Sequence, residues 1–288
     1  MEGRLAGFIT QRAGLLEEAG IEQAKSEVEL ILCCLLKVDR LHLYLEGEDR
    51  IDETVVERVD DIVRLRRTRY PLQYILEAGW FYGREFYVNP DVMAPTPETE
   101  RLCELALSFC RDRRLQTPRI LDLGVGSGVI SVTMACELDD CRVLAVDLSE
   151  GALKVARKNA RDMDVADKIE FRQSDFFASI GDTERFDLIL SNPPYIAEPD
   201  YPDLPPEVLA DPKLAMTAGE DGLDAIRVIV REAPAYLASG GRIMFEIGYD
   251  QAAAVARLTE SDDRYQSINI IKDLNDIERV VILGCQEQ

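Results

Sequence analysis

The stretch SNPPYI, residues 191–196, holds the groups with which this chain could do chemistry. Two adjacent prolines cannot sit inside a helix, and they leave a central strand short of two donors. Yet the residues just ahead, Phe186 to Leu190, read as a buried strand. A strand that ends this way delivers a side-chain carbonyl on Asn192 and a backbone carbonyl on Pro193, held in direction by the two rings. Tyr195 offers a flat face, and Pro194 stiffens the turn. Two fixed acceptors and a wall suit a planar NH2 group. The bland alternative is a proline turn with Asn192 as a local cap.

A second constellation lies upstream. LDLGVGSGVI ends one strand and opens a helix, with Gly124, Gly126 and Gly128 free to take positive φ and to let a ligand approach the backbone. The spacing is G-x-G-x-G, not the G-x-G-x-x-G of dinucleotide sites. The next strand ends at Asp147, nineteen residues past Gly128, where an acid can take both hydroxyls of a ribose. The third strand ends in Asp175 and Phe176, an acceptor for an exocyclic amine and a surface for an adenine face. The loop holds no lysine or arginine, which argues against a triphosphate or pyrophosphate ligand. The set resembles the class I S-adenosylmethionine methyltransferases, and Asp122 fits their pattern. The resemblance puts Val125, Ser127 and Leu148 in the cofactor site beside these residues. Asn192 then stands where both cofactor and acceptor would meet.

Such groups need a scaffold, and the chain supplies one. Its 288 residues allow one large or two ordinary domains, and 47% hydrophobic residues allow a sizeable core. The first seventy residues carry helical stripes, such as Ile51, Val55, Val59 and Ile62. Ser26 reads as an N-cap completed by Glu29. GWFYGREFYVN reads as a β-hairpin, and a proline-broken link leads to a helix near Glu98. From residue 118 strands alternate with helices, and YQSINIIKD and RVVILGC look like a closing antiparallel pair. That pattern predicts an α/β, doubly wound sheet, which binds ligands beyond the carboxyl ends of its strands.

Composition excludes several alternatives. The net charge, 33 minus 54 or −21, is ill suited to broad grip on phosphates. Seven cysteines without a C-x-x-C pair suggest buried thiols in a reducing compartment. The single histidine, His42, sits between leucines, so a histidine-based nucleophile system is not expected. The amphipathic, acid-bearing N-terminus is unlike a signal peptide, and a cytoplasmic location follows by default. The basic run Arg64 to Arg69 could meet an acidic partner or RNA, or simply favour a helix C-terminus. The loop 196–220 reads either as a lid or docking element, or as a passive connection.

Nearly the full length resembles the HemK-type glutamine N5-methyltransferases. The likeness rests on PLQYILEAGWFYGREFYVNPDVMAPTPETE, LDLGVGSGVI, AVDLSEGAL, SNPPYI, GEDGL, LASGGRIMFEIGYDQ and DLNDIERVV. It implies a Rossmann-like, seven-stranded class I methyltransferase sheet. Residues 1–75 would form a helical bundle for substrate recognition, 76–96 a connecting β-hairpin, and 97–288 the catalytic domain. It implies S-adenosylmethionine as cofactor, S-adenosylhomocysteine as product, no metal, and a peptide-chain release factor as partner, without direct nucleic-acid or membrane partners. The glutamine site falls on Asn192, Pro193, Pro194 and Tyr195, of which Asn192, Pro193 and Tyr195 would be catalytic. One departure stands out: Thr96 replaces the arginine usual between the prolines of P-R-P-E-T-E, after a small Ala94. An adenine- or guanine-directed nucleic-acid methyltransferase could use the same turn, but the charge and the lack of a basic face oppose it. A non-catalytic binding subunit is expected to have lost the glycine loop or the turn, and both are intact.

Overall fold

The computed structural model describes residues 4–46, 51–260 and 262–285. Its contacts divide the chain into two units: Met1–Ala78 with Pro205–Ala210, and Gly79–Leu204 with Asp211–Gln288.

The first unit is helical, with α1 (Arg4–Glu17), α2 (Ala24–Leu36), α3 (Arg40–Glu46), α4 (Glu53–Arg66) and α5 (Leu72–Leu76). Leu5, Ile9, Ala13 and Leu16 fall on one face of α1, and Val28, Ile31 and Leu32 on one face of α2. All are buried in one cluster with Val59 and Val63 of α4. That burial, not propensity, holds helices this short. Asp52 caps α4 by accepting from the Val55 N–H at 2.9 Å. The capping box expected at Ser26 and Glu29 is absent, because α2 begins two residues earlier, at Ala24. Glu29 is buried instead, accepting from the Tyr44 hydroxyl and pairing with Arg40 at 2.6 Å.

The basic run is largely spent on ion pairs inside this unit. Arg66 is buried and holds Glu27 and Glu207, each at 2.8 Å. Arg69 reaches Glu207 at 2.6 Å and the Gly20 carbonyl at 2.8 Å. Burial pushes the Glu207 carboxyl up, but the bonds from Arg69 and Arg66 outweigh it and hold it at about 2. His42 keeps its ring on Asp39 at 2.8 Å.

The second unit carries the hairpin, β1 (Ala78–Phe81) and β2 (Arg84–Tyr87), then α6 (Glu98–Asp112). Alternation follows: β3 (Arg119–Leu123), α7 (Val129–Glu137), β4 (Arg142–Asp147), α8 (Glu150–Asp162), β5 (Ile169–Gln173) and β6 (Phe186–Ser191). The short α9 (Lys213–Met216) and α10 (Asp224–Glu232) precede β7 (Leu237–Glu246), α11 (Ala252–Glu260), β8 (Tyr265–Lys272) and β9 (Glu278–Cys285). Seven strands form one sheet in the order β5-β4-β3-β6-β7-β9-β8, parallel except around β9. This is the α/β sheet, with its closing antiparallel pair, that the alternation predicts.

The central strands are buried on both faces, as parallel strands require. Ile120, Val143 and Leu188 join residues of α6, α7 and α8 in one cluster. Leu121, Leu144 and Ile189 join residues of α10 and α11 in the other. Strand order reverses between β3 and β6, so the carboxyl ends of these two neighbours bound the crevice where such sheets take ligands. Among the described residues no helix is long and apolar enough to cross a membrane.

Candidate active site

β3 ends at Leu123 and the chain turns through Gly124–Gly128 into α7. The three glycines have φ of 74°, 53° and 87°. A Cβ on Gly124 would meet nothing within 4 Å, whereas one on Gly128 would press on the Ala156 Cβ at 3.1 Å. The first glycine therefore leaves the loop open to the cavity beside it, and the third lets α7 start against α8.

Asp147, at the end of β4, ties this loop down. One carboxylate oxygen accepts from the Gly126 N–H at 2.9 Å and the other from the Ser149 N–H at 2.8 Å. Burial raises its pKa, and the bonds from Gly126 and Ser149 pull against that. Each oxygen keeps a lone pair for a further donor. Asp122 lies wholly buried under the loop, accepting from both the backbone N–H and the hydroxyl of Ser131. Its Oδ1 has no partner among the described residues, and burial pushes its carboxyl up to about 7. Beyond β5, Ser174 holds the Phe176 carbonyl at 2.8 Å, where Phe176 takes a positive φ of 45°.

β6 brings the proline turn to the same edge. Ser191 donates to the Leu123 carbonyl at 2.8 Å, joining the two strand ends. Asn192 donates its Nδ2–H to Thr99 Oγ1 at 3.0 Å. The Tyr195 carbonyl accepts from Gln251 Nε2 at 2.9 Å. Burial, with Glu246 nearby, pushes the Tyr195 phenol up to about 12.

A cavity of about 640 Å³ collects most of these residues. Gly124, Val125, Gly126, Ser127, Asp147, Leu148, Asp175, Phe176, Asn192 and Pro194 line it. Asp122, Gly128, Pro193 and Tyr195 stand outside its lining. For Asp122 and Gly128 the reason is burial under the loop and against α8. At the turn the apolar residue lining the cavity is Pro194. The hairpin exit adds Val92, Met93 and Thr96, and the loop 196–220 adds Leu214, Ala215 and Thr217. Among the described residues no group of His, Cys, Asp or Glu is arranged to hold a metal ion.

Several supporting residues escaped the reading of the sequence. Asn159, buried in α8, bonds both the N–H and the carbonyl of Tyr87 and also the Ser127 carbonyl, so it fastens the hairpin to the glycine loop. Thr99 sits in PTPETE, and Glu246 and Gln251 in FEIGYDQ. Both segments stand out in the sequence as motifs, but nothing local assigns these side chains a task.

Comparison with known proteins agrees with this architecture. Residues 9–76 match the PrmC N-terminal domain and residues 104–219 the methyltransferase small domain. A release factor glutamine methyltransferase of Cereibacter sphaeroides is 40% identical over 279 residues, covering 96% of this chain and 97% of that protein. One from Neisseria gonorrhoeae is 37% identical over 259 residues, covering 90% of this chain and 92% of its own. Among solved structures, the hMettl16 catalytic domain in complex with a MAT2A 3'UTR hairpin superposes with a TM-score of 0.58 at 14% identity, covering 82% of this chain and 84% of that one. That likeness is one of fold alone. The likeness to the first two covers nine-tenths or more of this chain and of each relative, and the chain belongs to the release factor glutamine methyltransferase family.

Proposed function

We propose that this chain methylates the side-chain amide N5 of the glutamine in the Gly-Gly-Gln motif of peptide-chain release factors. S-adenosylmethionine is the donor and S-adenosylhomocysteine the product. The observation that carries the reading is the single cavity in which the glycine loop, Asp147 and Asn192 meet.

The residues present fit this cofactor. The open side of Gly124 allows close backbone approach, the free lone pairs of Asp147 suit ribose hydroxyls, and Asp175 with Phe176 suits an adenine. Asp122 supports the loop from beneath. The bound cofactor supplies an electrophilic sulfonium methyl group. An amide nitrogen is a poor nucleophile because its lone pair is conjugated. Asn192 Oδ1 takes one of its N–H bonds, and Pro194 bounds the planar group on one side. Held so, the lone pair points at the methyl group, and placement provides the rate enhancement. The nitrogen loses its proton after attack, so no strong base is needed.

Every residue lining the cavity belongs to the second unit, and we assign the helical unit to recognition of the protein partner. Thr96 brings no charge to the cavity wall where relatives of the HemK type usually carry arginine. Seven free thiols suit a reducing cytoplasm.

The test is incubation of the chain with labelled S-adenosylmethionine and a release factor. Mass spectrometry should find one added methyl on the Gly-Gly-Gln peptide, absent when that glutamine is alanine. Efficient labelling of DNA or RNA, with none on a release factor, would overturn the assignment.

A further inference from the structure

Gln251 stands outside the cavity lining, yet its side chain meets two backbone segments whose neighbours supply that lining. It lies just ahead of α11, where its own carbonyl accepts from the Ala254 and Val255 N–H groups, each at 3.0 Å. Ala252 and Val255 are buried in the core, so the base of the side chain is fixed. The residue itself is buried. Its Nε2 donates to the Tyr195 carbonyl at 2.9 Å and to the Gly222 carbonyl at 3.1 Å. Its Oε1 accepts from the Gly248 N–H at 2.9 Å. An amide has two protons on its nitrogen and none on its oxygen. Both protons are spent here, and the three partners admit only one orientation.

The two segments are the proline turn and the second half of the loop 196–220. Asn192 and Pro194 of the turn line the cavity, and so do Leu214, Thr217 and Gly219 of the loop. Just past the turn, the Ile196 N–H donates to the Met216 carbonyl and the Ala218 N–H to the Ile196 carbonyl, each at 2.9 Å. The Glu198 N–H donates to the Gly219 carbonyl at 2.9 Å. From sequence this loop reads either as a lid or docking element, or as a passive connection. Backbone pairing of this kind opposes swinging open.

We propose that Gln251 is a positioning residue that joins the proline turn and the segment 212–219 into one rigid acceptor wall. The inference rests on the methyl-transfer reading given above. The backbone pairing around Ile196 is short. Gln251 braces it from both sides, one residue before Ile196 and three residues after Gly219. The bond to Gly222 is buried, so losing the donor leaves that carbonyl without a partner. A shift of about 1 Å in a group that places a reacting nitrogen can cost about 10²-fold in rate. The brace therefore acts on turnover. Cofactor affinity is spared, because the glycine loop is held by Asp147 through other bonds.

The experiment uses the full chain, S-adenosylmethionine and a release factor. Gln251→Met keeps the size of the side chain and removes its donors. It should lose about fivefold or more in kcat, with the calorimetric cofactor Kd within about threefold. A smaller loss in kcat overturns the proposal, as does a loss that falls as heavily on cofactor affinity. A double-mutant cycle separates placement from general loosening. In an Asn192→Ala background the same substitution should cost less, because a group it places is gone, and an equal or greater cost overturns the proposal. Hydrogen exchange tests the wall directly. In the wild-type chain the Ile196 and Ala218 amide protons should be protected by about 10²-fold or more, and weaker protection overturns the proposal. If Gln251→Met does not fold, this measurement decides. A wild-type chain that labels no release factor rejects the functional reading itself, and the exchange result still tests the wall.

Discussion

Gly222 approaches Tyr195 so closely that a Cβ on it would stand 2.3 Å from the Tyr195 carbonyl oxygen. Gln251 occupies the same junction, donating to the Tyr195 carbonyl at 2.9 Å and to the Gly222 carbonyl at 3.1 Å. Its Oε1 accepts from the Gly248 N–H at 2.9 Å. Segments far apart in sequence thus grip the back of the proline turn. A rigid carbonyl is useful only if its base does not move, and this junction provides that base.

Gly222→Ala tests the grip. The position has a φ of 72°, and the added methyl has a backbone oxygen in its path. Loss of roughly 1–3 kcal/mol in stability is expected from the clash and the backbone strain. Thermal unfolding would show it, and turnover should fall further than cofactor affinity.

Asn192→Ala removes the side-chain acceptor from the turn. Methyl transfer should fall by about 10² or more, the loss expected for a positioning group, while the cofactor still binds. Single-turnover labelling and calorimetry together check this. Turnover within threefold of wild type would make the turn structural.

Asp147→Ala should weaken S-adenosylmethionine by roughly 1.5–3 kcal/mol, through loss of charge-assisted hydrogen bonds. The Gly126 and Ser149 N–H groups also lose their acceptor, so the loop should loosen. Asp147→Asn keeps one acceptor and should fall between the two. Unchanged calorimetric affinity in the alanine variant would remove Asp147 from the cofactor site.

Asp122→Asn should change how stability depends on pH. Its carboxyl is pushed up to about 7 in the fold, against an ordinary value near 4. The folded chain therefore binds more protons than the unfolded one between these values. Its contribution to stability is fully present below about pH 4 and is lost as pH rises through about 7. The asparagine variant should match wild type near pH 4 and exceed it by a margin that grows as pH rises to about 7 and then levels off. Denaturant melts across that range would show it. A shallower slope should persist from Glu246, which burial raises in the same direction.

Much of the fold was legible because it is written locally. Apolar runs such as Val143 to Val146 and Leu188 to Leu190 announce buried strands wherever they occur, and helical stripes between them announce crossovers. Local signals misled where burial overrode them. Ser26 has the type and spacing of a cap, yet the helix starts earlier, and Glu29 serves Tyr44 and Arg40 instead.

By itself the sequence determined that a glycine loop, an acid at a strand end and a rigid proline turn exist, since each depends only on neighbouring residues. Tertiary structure decided that they act together. Leu123 and Ser191 are 68 positions apart, and only the pairing of β3 with β6 sets Gly124 and Asn192 at one crevice. It also decided that Asn192 Nδ2 meets Thr99 Oγ1, 93 positions away. The physical reason is that hydrophobic periodicity repeats along the chain and can be read there. A hydrogen bond between distant side chains depends on the register of strands, which no local pattern encodes.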